Sequence, residues 1–408
     1  MDKTTTDIRN MYEQYPYPSG TPAIRLGSDV RRLLSYIERT GVRSGKIQAL
    51  DAGCGRGLGT LACATLQPDI QFTGIDINRI AIKEAEAQAK DRGLSNVIFD
   101  ECDLMTLEGL KVPENGFDVI YSSGVLHHLS NPLEGLARLR KVLSPHGVIL
   151  LMVYGTHGRA PLYRMIKGID LLMGDSIPIT EKLSPARMLV DFATDQVLLN
   201  TPWEDTAKVN DVEFVDRCLN VNETSYTVTS LVEMINSAGL SFIQWVTPSD
   251  WAVAELLPEG ELRKRALELN EMDQYRLIEQ LFYRPQLELL LSISGNKPRA
   301  SLREKKIPKA IFAIGHHVSF ILETRNPHGS VRIEGLSYKI DNDDSVKLPV
   351  TGPLATAILI LKDQNLPFSG ESLLKALNDN GVSPKEGRSV IVELLARGII
   401  YRPNPGDV

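Results

Sequence analysis

Cysteine is scarce in this chain. Only Cys54, Cys63, Cys102 and Cys218 occur in 408 residues, and no two form a C-x-x-C pair. That excludes a disulfide framework and a zinc ribbon as organising devices. No run approaches the roughly 18 uncharged apolar residues of a membrane span. The opening residues, MDKTTTDIRN, lack the apolar core of a signal peptide. A global basic field is missing too. Lys and Arg number 45 against 51 Asp and Glu, a formal net charge of -6, so nothing draws nucleic acid or anionic lipid. The expectation is a soluble, cytoplasmic protein with no nucleic-acid or membrane partner. Its length and 43% apolar content are enough for two or three domains with full cores.

What is present is a rhythm. From Lys46 to Tyr154 apolar runs (IQALDAG, QFTGIDI, NVIFDECD, FDVIYSS, GVILLMVY) alternate with helical segments such as RIAIKEAEAQAKDRG and LEGLARLRKVLS. Strands alternating with helices imply right-handed crossovers and a parallel, doubly wound α/β sheet. Over 155–226 the alternation stops, and APLYRMIKGIDLLMG and LSPARMLVDFATDQVL read as a helical cap insertion. Over 227–325 the rhythm resumes with TVTSLVEMINSAGL and SFIQWVTP. A second helical block follows, read through to ELLLS, and HHVSFILET is expected as the last, antiparallel strand. Residues 294–309 read as a surface linker or loop. Residues 340–408 hold three short helices and a terminal strand-like pair, the pattern of a small winged-helix module. From Asp341 onward 7 basic residues face 9 acidic ones, a net of -2 that disfavours a duplex-reading wing.

The chemistry concentrates in ALDAGCGRG, residues 49–57, where a first strand turns into a first helix. Glycines spaced G-x-G-x-G let a ligand approach the backbone at the positive end of a helix. A dinucleotide fingerprint needs G-x-G-x-x-G, and Leu58 stands where its third glycine belongs. Asp51 sits awkwardly beside a pyrophosphate and suits an ammonium group. Asp76 ends the second strand, where a carboxylate accepts both ribose hydroxyls. Asp103 follows the third strand, placed to accept an adenine amino group. The expected ligand is a nucleoside bearing an amino acid.

With FDVIYSSGVLHHLSNP added, the sequence resembles class I S-adenosylmethionine-dependent methyltransferases, in the branch with a D-x-G-C-G-x-G first motif and a V-L-H-H-L segment after strand four. The Y-E-x-Y-P-Y-P opening is similar to that of an uncharacterised bacterial group of that branch. The resemblance implies a Rossmann-like, mostly parallel seven-stranded sheet and S-adenosylmethionine as cofactor, leaving S-adenosylhomocysteine, with no metal. Position by position it implies that Gly53 and Gly55 line the methionine part and that Asp51 holds its ammonium. Asp76 would take the ribose, Ile77 an adenine face, Asp103 and Leu104 the far end of the base, and Ser123 the methionine.

His127 is the candidate general base, since a neutral imidazole near the cofactor edge can take an acceptor's proton; the alternative is that it packs beside the cofactor or caps a turn. His316 and His317 lack partners at metal spacing. A cytosine-type nucleophilic cysteine and an N-P-P-Y segment are both absent, which removes base methylation. Residues 1–45 form an N-terminal lid and first helix. Tyr12, Tyr15 and Tyr17, three of the 12 tyrosines, stand among prolines there. Crossing back over the sheet edge, they would cover the cofactor, with Tyr15 and Tyr17 in contact with it; the alternative is a strap packed against the first helix for stability. The leading expectation is methyl transfer to oxygen or nitrogen of a small-molecule or natural-product acceptor, with the helical insertions forming its pocket and a homodimer contact. Alternatives are a protein or peptide acceptor docked by the C-terminal module, and a non-catalytic cofactor-sensing regulator.

Overall fold

The structure is a computed structural model that describes residues 2–24, 26–39, 45–174, 177–325, 332–339 and 348–407. Seven strands form the central sheet: β1 (Gln48–Ala52), β2 (Gln71–Asp76), β3 (Val97–Glu101), β4 (Phe117–Ser123), β5 (Leu143–Tyr154), β6 (Leu240–Trp245) and β7 (Gln286–Ile293). Their order is β3-β2-β1-β4-β5-β7-β6, and β7 alone runs antiparallel to its neighbours. This is the Rossmann-like, mostly parallel seven-stranded sheet expected from the sequence. Strand order reverses between β1 and β4, which opens a crevice at the carboxyl edge of the sheet.

The strands read as continuous apolar runs because both faces are covered. Leu50, Ile120 and Ile149 pack on one face and Ala49, Val119 and Val148 on the other, all fully buried. α1 (Lys3–Gln14) and α2 (Val30–Leu34) precede the sheet, and α3 (Leu58–Leu66), α4 (Arg79–Asp91) and α5 (Pro132–Val142) are its crossovers. Local signals set their starts. Asn78 caps α4 through the Ile80 and Ala81 amides, and Asn131 caps α5 just before Pro132.

α6 (Thr156–Met173), α7 (Ile179–Val197) and α8 (Asp211–Cys218) form the helical cap. α9 (Val228–Ser237) returns to the sheet, and α10 (Val253–Leu256), α11 (Glu261–Glu268) and α12 (Glu271–Leu281) make the second helical stretch. Here the structure corrects the sequence reading. The helices stop at Leu281, and after Arg284-Pro285 the chain turns into β7. Leu287, Leu289 and Leu291 face one core and Leu290 the other, a two-sided burial that leucine's helix propensity masks. HHVSFILET therefore is not the seventh strand. Its strand, β9 (Ser319–Arg325), belongs to a separate three-stranded sheet with β10 (Arg332–Lys339) and β11 (Leu348–Pro349).

The C-terminal unit starts earlier than the sequence suggested. β8 (Ile311–Ile314) is the middle strand between β12 (Phe368–Ser369) and β13 (Ile400–Tyr401), against α13 (Gly352–Leu361), α14 (Gly370–Asp379) and α15 (Pro384–Ala396). Ile307, inside the stretch read as a surface linker, is fully buried in this core with Phe312 and Tyr338. Residues 340–347 and 408 of the expected winged-helix module lie outside the described residues. The unit is tied to the start of the chain. Asn404 donates to the Leu34 carbonyl at 2.8 Å, and Arg39 pairs with Asp407 at 3.0 Å.

Candidate active site

The glycine turn after β1 has the backbone that its sequence requires. Gly53, Gly55 and Gly57 hold φ of +92°, +51° and +71°. A Cβ on Gly53 would lie 2.3 Å from a Val125 methyl, and one on Gly55 would lie 2.6 Å from the Tyr17 carbonyl. The turn thus leaves no room for side chains where a ligand would need the backbone. The Gly55 amide donates to Asp76 at 2.8 Å, and the other Asp76 oxygen accepts from the Asn78 amide at 2.8 Å. The Asp103 carboxylate accepts from the Met105 amide at 2.8 Å, which fixes its orientation after β3.

These residues share one cavity of about 450 Å³. Asp51, Gly53, Gly55, Asp76, Ile77, Asp103, Leu104 and Ser123 all line it, as does Tyr17 of the N-terminal strap. Burial pushes the Asp51 carboxyl up to about 6, against the pull of the Thr60 hydroxyl, which donates to it at 2.5 Å. Burial likewise raises Asp76, while three backbone amides favour its ionised form.

Two expectations fare differently. Tyr15 does not line the cavity and packs instead on the helical cap's core. His127 is fully buried, lies outside the cavity lining, and among the described residues finds no hydrogen-bond partner for either ring nitrogen. Burial, His128 and Arg159 hold its pKa well below the usual histidine value. The next residue, His128, does line the cavity. Its Nδ1 lies 2.8 Å from the Asn222 carbonyl, which can only accept. The proton therefore sits on Nδ1, and Nε2 carries the lone pair. Asn222 completes the clamp by donating to the carbonyls of His128 and Leu129.

The strap bridges two parts of the molecule. The Tyr12 carbonyl accepts from the Asn78 side chain at 2.8 Å, while its hydroxyl donates to Asp216 at 2.8 Å and accepts from Asn220. Ser19 donates to Glu213 on α8, and the Pro18 carbonyl accepts from Arg56. Tyr12, read from the sequence as part of the lid, lines the cavity, and Tyr154, Gln286 and Glu288 line it without having been read as site residues. For Tyr154 the one available signal was its place at the end of β5. Gln286 and Glu288 were hidden because their strand was read as helix.

Residues 43–170 match the family described as a methyltransferase domain. The chain carries a class I S-adenosylmethionine-dependent methyltransferase domain. An uncharacterised protein of Synechococcus sp. is 28% identical over 297 residues, 69% of each chain. A probable methyltransferase of Aspergillus luteorubrus is 32% identical over 133 residues, 31% of this chain and 44% of its own length. Among solved structures, PKMT2 from Rickettsia typhi in complex with AdoHcy is 17% identical with a TM-score of 0.65. That likeness covers 96% of this chain and 76% of the other, and it shows a shared fold.

S-adenosylmethionine is the cofactor of the methyltransferase domain, and the cavity's chemistry fits it. The cofactor offers an ammonium, a ribose diol and an exocyclic amine, all donors. Asp51, Asp76 and Asp103 supply acceptors along successive strand ends. Bound there, the sulfonium would supply an electrophilic methyl group. Among the described residues no cluster is placed to hold a metal ion, and no helix is long and apolar enough to cross a membrane.

Proposed function

We propose that this chain methylates an oxygen or nitrogen atom of a discrete acceptor, with Asp51 on the cofactor's ammonium, Asp76 on its ribose, and Asp103 with Leu104 at the base. Gly53, Gly55, Ile77 and Ser123 complete the cofactor cradle, and Tyr17 covers it. The observation that carries the reading is continuity. One cavity runs from the three carboxylates to Tyr17, His128 and Tyr154 under the strap. Displacement at a sulfonium needs an aligned lone pair and little else, so alignment by a covered pocket is the main contribution. His128 takes the base role, its Nδ1–H held by Asn222 and its Nε2 available for the proton.

The test is calorimetric titration with S-adenosylhomocysteine. Wild type should bind and Asp76→Ala should lose at least tenfold in affinity. A mass-spectrometric search of cell extract for a gain of one methyl group then seeks the acceptor. Equal affinity of wild type and Asp76→Ala would remove the reading.

A second reading, a peptide acceptor docked by the C-terminal unit, is favoured by one feature. That unit contacts Asp29 through His316, and Ser28, the residue before Asp29, lines the cavity. Activity on peptides that falls on substitution at the unit's Lys385–Arg397 groove, with cofactor affinity unchanged, would select it.

A further inference from the structure

We infer that the acceptor presents a cationic amine, held as an ammonium among Tyr12, Tyr17 and His128. This rests on reading the cavity as a methyltransferase site and names the class of group methylated there.

Aromatic rings form one wall of the cavity. The Tyr12 and Tyr17 centroids lie 6.4 Å apart with planes at 44°, and the Tyr12 and His128 centroids lie 6.3 Å apart at 72°. His128 then meets Tyr154 at 6.0 Å and 85°. All four line the one cavity. Aromatic rings lining one cavity attract a cation held among them through their quadrupoles. The faces of Tyr154 are taken by His127 at 3.9 Å and by the Arg159 guanidinium at 3.6 Å, so it offers an edge, and the His128 ring itself meets His127 at 4.2 Å and 69°. The Tyr12 hydroxyl donates to the buried Asp216 carboxylate. That bond shifts electron density into the ring and strengthens its pull on a cation.

Charge agrees. Among the described lining residues there is no Lys or Arg, while Asp51, Asp76, Asp103 and Glu288 are carboxylates. A carboxylate or phosphate acceptor would find no cationic side chain among these residues. The nearby Arg159 stands behind Tyr154 and is paired with Glu223 at 3.3 Å.

The step balances without a co-reactant. The ammonium gives one proton to His128 Nε2, and the freed nitrogen lone pair attacks the cofactor's methyl carbon. The S–CH3 bond breaks with its electron pair going to sulfur. The product is an N-methylammonium, again a cation suited to the same rings, beside a neutral thioether and an imidazolium. The positive sulfonium close by lowers the amine's proton affinity and eases the first transfer.

The test separates this idea from a role of the tyrosines toward the sulfonium, and from failure of the site itself. Full-length protein saturated with S-adenosylhomocysteine, which has no sulfonium, is titrated with choline and with its neutral isostere 3,3-dimethylbutan-1-ol. Choline should bind about tenfold more tightly, in line with the strength of a desolvated cation–π contact. Tyr17→Leu, likewise saturated with S-adenosylhomocysteine, should lose that preference. Tyr12→Phe, which keeps the ring if the Asp216 contact proves needed for folding, should retain most of it. Equal binding of the two probes overturns the proposal. So does a Tyr17→Leu protein that keeps the choline preference but loses S-adenosylmethionine affinity selectively. Wild type that fails to bind S-adenosylhomocysteine overturns the methyltransferase reading beneath it, a distinct failure.

Discussion

The His127 imidazole lies on the Tyr154 ring, centroids 3.9 Å apart and planes 28° apart, with the Arg159 guanidinium on the other face. Among the described residues neither His127 nitrogen has a hydrogen-bond partner, so the ring is a packing element that sets the angle of Tyr154. Volume should therefore matter more than polarity. His127→Leu should cost less than about 1.5 kcal/mol of stability, whereas His127→Ala should cost about 2–4 kcal/mol through the cavity it leaves. Burial keeps the folded pKa below the unfolded value of 6.5. The unfolded state then takes up the proton first, and stability falls as pH drops below about 6.5. Urea denaturation at pH 5 and 7 checks both points. His127→Leu should show a smaller loss at pH 5 than wild type.

Cofactor binding should release a proton near pH 6. Burial lifts the Asp51 carboxyl to about 6, and a bound ammonium favours the ionised form. The affinity for S-adenosylhomocysteine should be flat above pH 7 and weaken by up to about tenfold per unit below 6. Asp216 is also raised to about 6 by burial, so Asp51→Asn is the needed control. That variant should bind weakly at neutral pH and lose the slope. Calorimetry in two buffers of different ionisation enthalpy reads the proton directly.

The cradle was legible in the sequence because its residues are neighbours along the chain. Gly53, Gly55, Asp76 and Asp103 each follow a strand whose apolar run announces it, and the structure gathers them into one cavity. Residues whose roles depend on tertiary register were less legible. Which of His127 and His128 faces the cavity is decided within the short turn Leu126–His128, and only His128 finds Asn222 across the cap. Glu288 reaches the site because β7 pairs Met152 with Glu288, in a leucine-rich stretch whose local pattern reads as helix. The tyrosine strap was recognisable as a cover, but Tyr12 and Tyr15 both pack on the cap's core, and of the three tyrosines Tyr12 and Tyr17 line the cavity.

Gly53 should tolerate no side chain. Its φ is +92°, and an added Cβ would meet the two Val125 methyls at 2.3 and 2.6 Å, so alanine brings both backbone strain and a clash. Gly53→Ala should weaken S-adenosylhomocysteine binding at least tenfold. Pairing it with Val125→Ala should recover only part, because the double variant removes the clash and leaves the strain, about 1–2 kcal/mol. Full recovery in the double variant would show that the conformation of the turn is not what the cofactor reads.

The contact between the C-terminal unit and α2 should respond to pH through Asp29. This carboxylate is fully buried and accepts from the Arg32 amide at 3.1 Å and the His316 amide at 2.7 Å. The Nδ1 atoms of His316 and His317 lie 3.4 and 3.5 Å from it. Burial alone would raise its pKa, yet the hydrogen bonds from His316 and the nearby His317 imidazole hold it well below the usual carboxylate range. Its hydrogen bond raises His316 above 6.5, opposed by burial and by Arg31, with Asp69 adding to the rise. Burial pulls His317 below 6.5, with Arg32 acting in the same direction. The signs follow. The Asp29 contribution is present above its unfolded value of 3.8 and is lost as pH falls through the lower folded value. The His316 contribution is complete below 6.5 and is lost as pH rises through the higher folded value. His317 acts oppositely and loses stability as pH falls below 6.5. Denaturation followed between pH 6 and 8.5 should therefore show an alkaline decline in wild type that His316→Ala removes. Asp29→Asn should lower stability by about 3 kcal/mol or more at pH 6, since it takes away the charge that both histidines face. An alkaline decline of the same size in wild type and His316→Ala would place the pH response elsewhere in the molecule.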